Sequence, residues 1–85
     1  MSAESEKQRV VNQLSDLVRQ LVDAEEGMSR AALADAADTH KSLVYRAMPA
    51  PGKTPSVGLT VATNLLYAMG HRLVIAIEPI PEGEF

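Results

Sequence analysis

One stretch of this chain reads as a β-strand, and no other stretch does. Arg72–Glu78 places Leu73, Ile75 and Ile77 on one face of an extended segment and Val74 and Ala76 on the other. Pro79 and Pro81 close the run, and its β-branched, two-sided apolar character is that of a strand covered on both faces. A lone strand cannot satisfy its own N–H and C=O groups. Pairing with the same strand of a second copy is therefore expected, because so apolar an open edge invites it. Leu73, Val74, Ile75 and Ile77 are the candidate dimer-interface residues, and an extended tail packed on the core is the plainer alternative.

The rest of the chain carries a helical period. Over residues 4–24, Val10, Leu14, Leu17 and Leu21 recur at helical spacing, and Val11, Val18 and Val22 widen the stripe. Gln8, Gln13, Asp16, Arg19 and Gln20 lie off it, and Gly27 is a stop signal. Ser29 is the expected cap of a short second helix through about Ala36, with Leu33, Ala36 and Ala37 facing inward. Asp38-Thr39 then breaks the pattern, and Asp tolerates the left-handed conformation that a tight interhelical turn needs. A third helix, His40 to Met48, must end before Pro49. Residues 49–55 form a loop by composition. Ser56 is the expected cap of a fourth helix reaching Met69 and closed by Gly70, with Leu59, Ala62, Leu66 and Met69 as its buried row.

Eighty-five residues make one small domain, which excludes most enzymes. Cysteine is absent, so disulfides and thiolate metal sites are excluded. His40 and His71 are the only histidines and stand far from metal-ligand spacing. Gly52-Lys53-Thr54 echoes the end of a phosphate loop but lacks the preceding strand and first glycine. Neither catalysis nor a cofactor is expected. No apolar run reaches the ~20 residues of a membrane span, and the polar start is not a signal peptide, so a soluble cytoplasmic protein is expected.

The net charge of −3 is unevenly spread. Residues 1–29 carry six acids against three bases, and residues 73–85 carry three acids and no base. Between them, Arg30, Lys41, Arg46, Lys53 and Arg72 outnumber Asp35 and Asp38. This cationic middle coincides with the two short helices, which together form a helix-turn-helix candidate. On a helical wheel Leu43, Val44, Ala47 and Met48 gather on one side of the third helix. Ser42, Tyr45 and Arg46 fall opposite, with Lys41 at the flank. Arg46 has the fork geometry to pair with guanine, and Lys41, Ser42 and Tyr45 are the other candidate base-reading residues. Arg30, Thr39, His40, Lys53, Thr54 and Ser56 are candidate phosphate contacts. An ordinary solvated helix face is the bland reading of the same residues.

Residues 28–78 resemble the antidote proteins of bacterial addiction modules, antitoxins with a Cro/phage-repressor-type helix-turn-helix. Val44-Tyr45-Arg46-Ala47-Met48 is similar to that family's Leu-Tyr-Arg-Ala-Leu, and Ala68-Met69-Gly70-His71-Arg72-Leu73 to its Ala-Leu-Gly-x-x-Leu. Asp38-Thr39 departs from the family's Gly-Leu, and the span Pro55–Gly70 is about two residues longer than the family pattern. The resemblance implies a mainly α, phage-repressor-like bundle of about four helices with one C-terminal β-strand that pairs across a dimer. It also implies a repressor that binds double-stranded DNA at a two-fold site in its own promoter and neutralises a small toxin. Residues 1–27 read as an N-terminal amphipathic helix ahead of the 28–78 DNA-binding domain, and 79–85 as an acidic, proline-containing tail. A stand-alone or phage-like regulator without a toxin, and a protein-interaction module that no longer binds DNA, are the alternatives.

Overall fold

The computed structural model describes residues 2–83, so Met1 and the last two residues of the acidic tail lie outside it. Four helices make up its regular structure: α1 (Ala3–Ala24), α2 (Arg30–Ala36), α3 (Lys41–Ala47) and α4 (Leu59–Ala68). Every helix contributes to one core, built from Val18 and Val22 of α1, Leu33 and Ala34 of α2, Val44 and Ala47 of α3, and Leu65 and Leu66 of α4. Met48 and Met69, just past α3 and α4, complete it. No helix is long and apolar enough to cross a membrane among the described residues.

The caps explain the boundaries. Ser2 opens α1 by accepting the Ser5 N–H, and Ser29 opens α2 by accepting the Ala32 N–H, each from its side chain. Helix α2 stops through a double closure: Thr39 N–H donates to Ala34 O at 3.0 Å and Asp38 N–H to Asp35 O at 3.2 Å. Asp38 sits at φ +51°, the left-handed position where glycine is usual. The end of α4 repeats the motif with Gly70 at φ +78°, His71 N–H on Leu66 O and Gly70 N–H on Tyr67 O. The same turn is thus built once with glycine and once with aspartate.

Several expectations about the helices are corrected. The row of α1 that enters the core is Ser15, Val18 and Val22, not the leucine row. Val10 and Leu17 are about half exposed, while Leu14 and Leu21 are only partly buried. The smaller side chains let α1 approach the end of α3, where Ser15 has a bonding partner that a leucine could not serve. Ser56 does not cap α4, which begins at Leu59 after Gly58 with no side-chain cap. Its backbone N–H is instead bonded to Arg46 O, and the chain needs Val57 packed on the core before the helix can start. Leu59 consequently points outward, leaving Ala62, Leu65, Leu66 and Met69 as the inner row. On α2 the inner residues are Leu33 and Ala34, with Ala36 exposed.

The C-terminal strand does not form within the single chain. Residues 71–81 form neither helix nor strand, and no strand exists among the described residues. A ladder needs a second extended segment, and four helices offer none. Leu73 packs on the core, whereas Val74, Ile75 and Ile77 are exposed, Ile77 almost completely.

Left-handed backbone strain makes residue 38 a sensitive position. Asp38→Gly is expected to be no less stable than the parent, and Asp38→Val to lose about 1–2 kcal/mol, as read by urea unfolding followed through helical circular dichroism.

Candidate nucleic-acid interface

The loop after α3 is rich in acceptors and poor in donors. Pro49, Pro51 and Pro55 have no N–H, and the last carbonyls of any helix lack intrahelical partners. Donors must therefore come from elsewhere, and they come from α1, α2 and the segment ahead of α4. Arg46 O accepts from Ser56 N–H at 2.8 Å. Ala47 O accepts from the buried Ser15 hydroxyl at 2.6 Å. Met48 O accepts from Arg30 Nη1 at 3.0 Å, and Pro49 O from Arg19 Nη2 at 2.9 Å. Four consecutive carbonyls are satisfied, two of them by guanidinium groups whose charge also suits the negative end of a helix. Gln8 Nε2 extends the pattern to Pro55 O at 3.3 Å. Within the loop, Lys53 N–H closes on Ala50 O at 3.1 Å with Gly52 at φ +86°, a turn with proline and glycine in their preferred second and third places.

The side chains on α3 divide largely as its wheel predicts, except that Ser42, expected outside, is half-buried. Val44, Ala47 and Met48 are buried, Leu43 is half-buried, and Lys41, Tyr45 and Arg46 are exposed. Lys41, Arg46 and Lys53 form no ion pair among the described residues; the two pairs found, Lys7–Glu4 and Arg9–Glu6, lie on α1. The Arg30 guanidinium carbon stands 4.5 Å from the centre of the Tyr45 ring, a cation–π distance. Arg30 thus bonds the end of α3 and holds its exposed tyrosine. It is a positioning residue first, and only its remaining N–H groups are left for a phosphate.

The start of α3 differs from expectation. A helix N-terminus usually presents free amides, but here His40 Nδ1 accepts the Ser42 N–H at 3.1 Å and caps the helix itself. The Ser42 hydroxyl lies 2.7 Å from the same nitrogen. An Nδ1 that accepts an amide proton carries none of its own, so the hydroxyl is the donor and the ring proton sits on Nε2. Ser42 then turns oxygen lone pairs, rather than its proton, to the surroundings. Thr39 is half-buried in the turn, while Lys53, Thr54 and Ser56 are exposed. His40 and Lys41 stand at one end of α3 and the 49–55 loop at the other, roughly 10 Å apart by helix rise.

Ser15, Arg19 and Gln8 carry none of the sequence-level site assignments, yet they determine where α3 sits. Three prolines following a helix were the available signal, since such a segment must borrow its donors. Comparison with protein-family models, with curated proteins and with solved structures finds no match to this chain.

Ser15→Ala leaves the Ala47 carbonyl buried without this donor. It is expected to cost about 1–3 kcal/mol in urea unfolding, whereas truncating the exposed Lys41 should change stability by less than about 0.5 kcal/mol.

Proposed function

We propose that this chain is a sequence-reading DNA-binding protein of the helix-turn-helix type, with α2 and α3 as the paired helices. The observation that carries the reading is α3 itself: one face buried, one end fixed by four donors, and an exposed Lys41–Tyr45–Arg46 surface left outside. A helix that reads base edges needs this combination, because discrimination depends on holding donors to within a fraction of an ångström. Arg46 pairs with a guanine edge, and Lys41 and Tyr45 contact bases or the adjoining backbone. Ser42, with its hydroxyl proton committed to His40, serves as an acceptor for the amino group of cytosine or adenine. Lys53 and Thr54 reach phosphate from the loop, as do the His40 Nε2–H and the spare donors of Arg30.

In the cell the protein acts in the cytoplasm as a repressor of its own promoter, bound as a homodimer to a two-fold site whose halves lie about 34 Å apart. The resemblance of residues 28–78 to addiction-module antidotes supports a further role as an antitoxin that neutralises a small toxin encoded alongside it. The acidic ends of the chain suit encounter with a basic partner of that kind.

A gel shift with the DNA upstream of its own gene, beside a scrambled sequence, tests the reading. The parent should shift the first and not the second at physiological salt. Arg46→Ala should weaken specific binding by about 1–3 kcal/mol. Lys53→Ala should weaken both DNAs alike and lower the salt dependence by about one counterion. Failure to shift any DNA at low salt would remove the nucleic-acid reading.

A further inference from the structure

The start of α3 holds a pair of side chains that can exist in two hydrogen-bonding states. His40 Nδ1 accepts from the Ser42 N–H at 3.1 Å, and the Ser42 Oγ stands 2.7 Å from the same nitrogen. A neutral imidazole has one lone pair there, so both donors converge on it and the hydroxyl proton points at the ring. His40 is exposed and Ser42 half-buried, so the ring meets solvent protons while the hydroxyl has a fixed neighbour. The ring makes no other hydrogen bond and no ion pair among the described residues. The charged residues around it are Lys41, next in the chain, and Asp35 and Asp38 at the end of α2. Helix α4, which packs on α2 and α3, carries no charged residue.

We propose that the proton on His40 sets the hydrogen-bonding sense of Ser42, and so makes the base preference of α3 depend on pH. The proposal rests on the DNA-binding reading above and adds a specificity switch to it, with His40 as a positioning residue acting through Ser42. With His40 neutral, the hydroxyl donates to Nδ1 and presents its lone pairs. These suit cytosine, whose major-groove edge offers only an amino donor. An imidazole takes up a proton between about pH 8 and pH 5. Nδ1 then carries an N–H, accepts from neither donor, and donates to the Ser42 Oγ across the same 2.7 Å. The hydroxyl proton is released and turns outward, which suits guanine or thymine, whose edges offer only acceptors. The exchange is local. The Ser42 N–H loses its acceptor, but the Leu43 N–H stays on His40 O at 3.0 Å and the far end of α3 keeps its four donors. A charged ring also strengthens its contact with phosphate. A phosphate is the same beside every base, so that effect raises affinity and leaves preference alone.

Selection from a randomised duplex DNA library at ~pH 8 and at ~pH 6 tests the proposal, followed by competition gel shifts between the selected duplexes and their single-base-pair variants. For the parent, a position of the selected site should change from cytosine at the higher pH to guanine or thymine at the lower. The affinity ratio of the two duplexes should shift by at least ~5-fold. Ser42→Ala should lose that shift while overall affinity still varies with pH. In His40→Asn the side-chain oxygen still caps the helix and accepts the hydroxyl, but takes up no proton in this range. This variant should hold the cytosine preference at both pH values, with unchanged helical circular dichroism. A parent with one preference at both pH values, or either variant still changing its preference, overturns the switch and leaves the DNA reading in place. Absence of binding to any duplex at low salt, at either pH, overturns both.

Discussion

The structure depends on how the acceptor-rich end of α3 is satisfied. A seven-residue helix has almost no stability of its own, and proline follows it closely. Left to water, its last carbonyls would fray the helix and the loop together. Instead Ser15 and Arg19 on α1, Arg30 on α2 and the Ser56 amide ahead of α4 each supply one donor. The bonds are modest individually, since a net intramolecular hydrogen bond contributes about 1 kcal/mol. Their weight lies in convergence, because donors from α1, α2 and the segment ahead of α4 meet at one short segment.

The local grammar of the chain was legible where a side chain answers to its own neighbours. Ser29 caps α2, Gly70 closes α4, and Asp38 takes the left-handed turn, all within a few residues of the groups they serve. The two faces of α3 were legible for the same reason. Choices between nearly equivalent alternatives were not. Apolar periodicity favours no single row on α1: the Val10–Leu21 row and the Val11–Val22 row are both apolar, and a distant carbonyl on Ala47 decides between them through Ser15. Ser56 has the right side chain for a cap, but its amide is drawn to Arg46 O by tertiary contact. Residues 72–78 form no strand within one chain, because periodicity reports which surfaces want cover and a ladder also needs a second extended segment.

These features divide the surface into two regions that do not overlap. The cationic side chains of α3 and its loop occupy one, and the open aliphatic groove of α1, α4 and the C-terminal segment the other. Helix α1 belongs to both: its inner row and polar flank fix α3 through Ser15 and Arg19, while its outer row walls the groove. The same helix of 22 residues thus packs against α3 on one side and borders the groove on the other.

The clamp on α3 also ties distant parts of the chain together. Arg19 and Gln8 serve carbonyls of a loop whose prolines withhold donors, so loop and helix are held together although they are some thirty to fifty positions apart in the chain. A residue with an N–H in place of Pro49 or Pro55 would add a donor to the loop but keep the carbonyl that Arg19 or Gln8 serves, so the demand on α1 persists. Loss of either donor on α1 would leave a loop carbonyl to water, and the far end of the short α3 would loosen with it.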